Sequence, residues 1–319
     1  MKQSDLGLNL TIKRTRKREF LDEMNQVVPW GDLVALIAPY APEGRRGRPP
    51  FAVEVMLRIH FMQQWFTLSD PAMEESLHDI ALFREFAGLS WDKALPDETT
   101  ILRFRRLLEQ HKLGPQILLL VNDLLRDKGL MLRAGTVVDA TLIAAPSSTK
   151  NASGQRDPEM KHSKKAQQWY FGMKAHIGID ADSGLVHTVR GTSGSVHDVS
   201  QAHALLHGEE VEVFADAGYL GAQKRPEAQP GVRWNIALRP GQRARLDKTV
   251  MSGKLLDQLE HTKARIRAKV EHPFRVLKRQ FGHVKVRYRG LIKNTAQLHT
   301  LFALSNLWMV RRRLMAEGA

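Results

Sequence analysis

The run TVVDATLIA, residues 136–144, sets an acid among valine, leucine and isoleucine. A short segment so rich in Thr, Val and Ile predicts a β-strand. Asp139 at its centre is costly to bury unless it is paired or ligated. Upstream the pattern is different. Residues 51–129 read as helical throughout, with Val53, Met56, Leu57 and Phe61 on one face. Asp70-Pro71 starts the next helix, with the Asp as cap and Pro at the first position. Pro96-Asp97-Glu98-Thr99 caps a third, which carries Arg103, Arg105 and Arg106, and Gly114-Pro115 breaks it before a fourth at 117–126. Three short helices ending in an Arg-bearing one suit a helix-turn-helix DNA reader, and a plain helical bundle with a basic face fits as well.

Ahead of this lie a polar basic lead and a short helix over 30–38, ended by Pro39. Then comes GRRGRPP, residues 44–50, where Gly and Pro forbid regular structure. Its Arg45, Arg46 and Arg48 suit either a solvated linker or an arm that grips phosphates.

Downstream, residues 146–168 read as a long polar loop. Strands follow at 171–180 and 185–192, joined by the turn Ala181-Asp182-Ser183-Gly184. Asp198 caps a predicted helix, and further strands are expected at 211–216 and 232–238. Two helices close the chain: one over 254–282 and one over 296–315. Hairpin strands followed by α/β alternation predict a mixed sheet covered on both faces.

In the helix 254–282, Leu259, Ile266, Val270, Phe274, Leu277 and Phe281 make a buried stripe at threes, fours and sevens. Beside the stripe run Arg267, Glu271, Arg275 and Lys278. From residue 261 to 290 there are ten Lys and Arg against one acid, Glu271. Such a row is either a basic surface with one balancing Glu, or a carboxylate on a metal with phosphate-holding neighbours. Asp216, after VEVFA, interrupts an apolar strand as Asp139 does. The three acids are 77 and 55 residues apart, so only folding gathers them. Magnesium takes such oxygen ligands and shares its shell with phosphate, with manganese as a substitute.

Composition narrows the partners. The 319 residues hold 48 Lys and Arg against 34 Asp and Glu, a formal charge of +14. That balance favours a polyanion, and DNA above all. There is no apolar run long enough to span a bilayer and no signal core, which points to the cytoplasm. Cysteine is absent, so disulfides and thiolate chemistry are excluded. Thirteen histidines are scattered singly, without zinc spacing. His176 and His187 read as structural, Asp180 and Asp182 as turn residues, and Trp169 and Trp234 as core.

The blocks VVDATLIAAP, VFADAGYLG and RAKVEHPFRVLKRQFG resemble the three catalytic blocks of DDE transposases of bacterial insertion sequences. The likeness is closest to the large group named for insertion sequence five. GRRGRPPFAVEVMLRIHFMQQW and LPDETTILRFRRLLE are similar to that group's N-terminal domain, so the resemblance covers most of residues 40–310. It implies a ribonuclease-H-like α/β fold after an all-α DNA-binding domain, with the division at 1–130 and 131–319. It further implies Asp139, Asp216 and Glu271 as catalytic metal ligands, cleavage at terminal inverted repeats, and joining of 3′ ends to target DNA by a homodimer that synapses the ends. The superfamily signature Tyr-x2-Arg-x3-Glu-x6-Lys maps onto Arg267, Glu271 and Lys278. Ala264 stands at the Tyr position, so a Tyr grip on the terminal phosphate and a hairpin route are not carried over. A metal-dependent nuclease without strand transfer and an inert DNA-binding regulator are the competing readings.

Overall fold

The structure, a computed structural model, describes residues 14–42, 44, 49–132, 134–151, 154–165 and 167–317. Helices come first: α1 (Arg16–Val27), α2 (Trp30–Ile37), α3 (Val53–Phe66), α4 (Asp70–Asp79), α5 (Ala81–Phe86), α6 (Glu98–Gln110) and α7 (Leu113–Asp127). The described part of the basic lead forms α1, because Thr15 caps it and Leu21, Met24 and Val27 fall on one buried face. α4 is capped one residue earlier than predicted, by Ser69, which accepts from the Ala72 N–H. Asp97 caps α6 as expected, its carboxylate taking the Thr100 N–H at 2.7 Å. Gly114-Pro115 does not break the chain. The break falls at Lys112, in the left-handed region at φ 51°. Pro115 then sits in the first turn of α7, where no N–H is needed.

The sheet follows: β1 (Gly135–Ala144), β2 (Lys161–Lys165), β3 (Gln168–Asp180), β4 (Val186–Ser193), β5 (Glu212–Ala215) and β6 (Arg233–Ile236). β1 pairs antiparallel with β3 and β3 with β4, whereas β1 with β5 and β5 with β6 are parallel. The order β4-β3-β1-β5-β6 with this mix of directions is ribonuclease-H-like. β2, inside the predicted loop, lengthens the sheet by pairing with the start of β3. The helix expected after Asp198 is instead a pair of 3-10 turns, Asp198–Gln201 and His203–Leu205.

The last helices are α8 (Pro240–Ala244), α9 (Met251–Arg267), α10 (Glu271–Arg275) and α11 (Leu291–Glu317). α11 packs against α7 and α1 as well as β4, and one apolar core runs from the N-terminal helices into the sheet. The predicted stripe divides: Val270, Phe274, Leu277 and Phe281 are buried, but Leu259 is 56% exposed because α9 projects from the core. Trp169 is likewise 63% exposed, at the start of β3 beside the edge strand β2. Among the described residues no helix is long and apolar enough to cross a membrane.

Candidate active site

The parallel ladder brings the two aspartates side by side. Gly135, Thr136 and Val137 pair with Glu212, Val213 and Phe214, each partner lying 77 positions on. The same interval separates Asp139 from Asp216, so the two acids continue that register just beyond the end of β5. Asp216 leaves the strand as the cap of a 3-10 turn, accepting the Gly218 N–H at 2.8 Å. A Cβ at Gly218 would approach Asp216 Oδ1 to 2.9 Å, so glycine keeps this turn tight against the carboxylate.

Glu271 reaches the same place from the other side. It is the first residue of α10, behind a 3-10 break at Ala268–Val270 and ahead of a π-helical turn at Val276–Gln280. Pro273 lies between these two distortions; its ring crowds the carbonyl four residues back, that of Lys269, within the 3-10 break. Lys269 Nζ donates to the carbonyls of Ala181 at 2.6 Å and Asp182 at 3.0 Å, which ties the break to the β3–β4 turn.

Asp139, Asp216 and Glu271 line one open cleft of about 890 Å³, together with Arg267, Arg275 and Lys278. Burial pushes the Asp139 carboxyl up to about 7, with Asp216 and Glu271 adding to the rise and Arg267 and the Ala140 N–H opposing it. Lys278 is held inward: its Nζ donates to Thr141 Oγ1 at 2.6 Å and to the Leu142 carbonyl at 3.0 Å, which fastens the π-helical turn to β1.

Two further cleft residues escape a reading of the sequence. Lys174 on β3 donates to Asp198 Oδ1 at 2.9 Å and to the Val196 carbonyl at 2.8 Å, and both side chains line the cleft. Asp198 is therefore an ion-pair partner, not a helix cap. The available signal was a lysine inside the apolar run FGMKAHIGID, where an unpaired cation is not stored. Tyr219 is 1% exposed and its hydroxyl is without a partner among the described residues. Burial, then Asp139, Asp198 and Asp216 in that order, holds its pKa well above the usual phenol value. Behind Lys174, His176 is fully buried, bonds Thr192 Oγ1 at 2.7 Å and is pushed down to about 4 by burial, as befits a structural histidine.

The other basic residues divide. Arg103 and Arg106 are exposed on α6. Arg105 points inward: its guanidinium donates to Asp70 at 2.9 Å and Glu109 at 2.8 Å, and stacks 4.1 Å from the Tyr288 ring. It is a strut between α6, α4 and the segment before α11, and its expected place at DNA is corrected on that ground. Arg45, Arg46 and Arg48 lie outside the described residues.

A family model described as a transposase DDE domain matches residues 131–307, and one described as a transposase domain matches residues 9–107. A piggyBac transposase synaptic complex with hairpin DNA, solved by cryo-EM, is similar over 93% of this chain and 73% of its own, at 10% identity and a TM-score of 0.46.

Proposed function

The chain belongs to the DDE transposases, metal-dependent polynucleotidyl transferases, and from that premise we propose that it cuts and joins the ends of a bacterial insertion sequence of the group named for insertion sequence five. In this reading its substrates are double-stranded terminal inverted repeats and target DNA, synapsed by a homodimer in the cytoplasm, and its cofactor is magnesium, replaceable by manganese. Residues 1–130 serve DNA binding and 131–319 catalysis. The observation that carries the reading is the meeting of Asp139, Asp216 and Glu271 in one cleft lined by cations.

The donor set fits a hard dication. Three carboxylate donors line one cleft, and the Asp139 carboxyl, held up by burial with Asp216 and Glu271 adding to the rise, gains from a cation beside it. Asp139, Asp216 and Glu271 would hold the ion, which when bound supplies Lewis-acid neutralisation at the scissile phosphate. The chain's own residues do the rest. Arg267 and Arg275 hold flanking phosphates by charge-assisted hydrogen bonds. Lys278 keeps the Glu271 segment docked on β1 and presents its charge to the cleft. The Lys174–Asp198 pair fixes the far wall. Arg103 and Arg106 face the DNA from α6, with the 44–50 segment as a phosphate-gripping arm.

The test is to incubate the full-length protein with its element ends, magnesium and a target plasmid, and to map the junctions. Recombinant junctions joined through the 3′ ends support the proposal. Cleaved ends without junctions reduce the protein to a nuclease, and binding unaltered by metal with no products reduces it to a regulator.

A further inference from the structure

His187, His207 and Glu210, which no sequence spacing linked, meet behind the sheet. One ligand atom from each lies within 4.8 Å of the other two. His187 sits on β4, and His207 and Glu210 on the loop that leads into β5. Thr136, three residues before Asp139 on β1, bonds both His187 and Glu210. An odd separation along a strand puts the Thr136 and Asp139 side chains on opposite faces, about 10 Å apart along it, so this cluster is separate from the catalytic cleft.

The Glu210 side chain is fully buried. Its partners are the His207 N–H at 2.6 Å, the Gly208 N–H at 2.8 Å, the Thr136 hydroxyl at 3.1 Å and His207 Nε2 at 3.3 Å. A buried carboxylate with two imidazoles beside it brings one oxygen and two nitrogen donors to a single point. We propose that these three residues bind a zinc-class divalent cation that clips the β5 loop to β1 and β4.

The spacing suits that ion. Two ligands about 2.0–2.1 Å from a tetrahedral zinc stand about 3.3 Å apart, and His207 Nε2 and Glu210 Oε1 are 3.3 Å apart already. Two nitrogens and one carboxylate form a borderline donor set that favours zinc over magnesium, and leave a fourth position for water. Thr136 Oγ1, 3.0 Å from His187 Nε2, stands beside that position. The Thr188 hydroxyl oxygen, 2.9 Å from His187 Nδ1, can accept a hydrogen bond from the Nδ1–H that remains once Nε2 is the ligand. His207 Nδ1 now receives the Glu209 N–H at 3.2 Å, so coordination through Nε2 turns that peptide away. His187 is also among the residues that line a surface pocket bounded by α7, β4 and α11.

The probe is zinc, then cobalt, on full-length protein carrying Asp139→Asn and Asp216→Asn, which remove the catalytic charge pair. After stripping with chelator, one equivalent of zinc is expected to bind and survive millimolar magnesium, and cobalt is expected to give the intense visible bands of a four-coordinate site. Glu210→Gln, which keeps acceptors for the two backbone N–H groups, and His207→Gln should each lower zinc affinity on the order of 100-fold or more. For variants that fold poorly, a zinc-dependent rise in the melting temperature of the stripped parent is the independent reading. Absence of both stoichiometric zinc and that rise overturns the site, as does zinc binding left unchanged by either substitution or a weak, octahedral cobalt spectrum. Because the parent lacks two catalytic acids, failure here leaves the catalytic assignment untouched.

Discussion

Two stretches, α6 and the α9–α10 segment, read alike in sequence: amphipathic and arginine-bearing. Folding gives their cations opposite fates. On α6, Arg105 meets Asp70 from α4 and its own Glu109, and its charge is consumed inside the protein. On the α9–α10 segment, Arg267 and Arg275 line a cleft whose other wall carries Asp139 and Asp216. The difference lies in where the counter-anions stand. Asp70 is fixed beside Arg105 by a further bond from Gln63, so that pair closes on itself. The cleft instead gathers three carboxylates along its lining, and its charges remain for a substrate and an ion. Availability of a basic residue is thus decided by acids distant in sequence.

The sharpest way to break this contrast is to remove the cleft's acids. Asp139→Asn, Asp216→Asn and Glu271→Gln keep shape and delete charge. Each should cut cleavage of element ends on the order of 10³-fold or more, with end binding in gel-shift titrations retained. A variant that cleaves at the wild-type rate does not carry a ligand.

Removing the closed pair should show the opposite phenotype. Arg105→Ala leaves Asp70 and Glu109 without their cation, and breaking a buried pair costs about 3–5 kcal/mol. Chemical denaturation should show that loss, while the folded fraction keeps its preference for end DNA. Arg103→Ala and Arg106→Ala should do the reverse, weakening that preference with little effect on stability. Unchanged stability in Arg105→Ala would make it the DNA contact its sequence neighbours suggest.

Much of this was legible before folding. Local chemistry declared itself: the cap at Asp97, the β3–β4 turn, and acids interrupting apolar strands. What stayed hidden depended on partners. Arg105 looks like its neighbours until Asp70 is placed beside it. Leu259 obeys the same periodicity as Phe274, but periodicity does not say where a helix leaves the core. Lys174 and Asp198, 24 residues apart, form a cleft wall only through the β3–β4 hairpin. Likewise, three ligands drawn from a strand and a loop leave no motif.

Arg267 and Lys278 sharpen the comparison within the cleft itself. At saturating DNA, Arg267→Ala should slow single-turnover cleavage about 10–100-fold, the scale of a lost charge-assisted contact. Arg267→Lys should recover little, because the planar fork is lost. Lys278→Ala should slow cleavage and also lower the melting temperature, since its ammonium ties the π-helical turn to Thr141 and Leu142. Normal cleavage by both Ala variants would return the segment to an ordinary basic surface.

The smallest expected effect is on stability, and its sign follows from the burial of Asp139 beside two other carboxylates. With the Asp139 carboxyl raised to about 7 by burial and by Asp216 and Glu271, against about 3.9 in the unfolded chain, the folded protein holds a proton that the unfolded chain has released. Without metal, stability should therefore fall as pH rises from about 4 through about 7. Asn at this position cannot ionise and escapes that loss. In chelator, Asp139→Asn should melt a few degrees above the wild type at pH values above 7, and the gap should shrink as the pH is lowered towards 4. Taking the difference between the two proteins cancels every other titrating group that the substitution leaves alone. Adding magnesium should narrow or invert the gap, because the dication stabilises only the ionised wild type. A difference that is flat with pH would mean that Asp139 is no more strained than the closed carboxylates of α6, and the contrast between the two regions would lose its electrostatic basis.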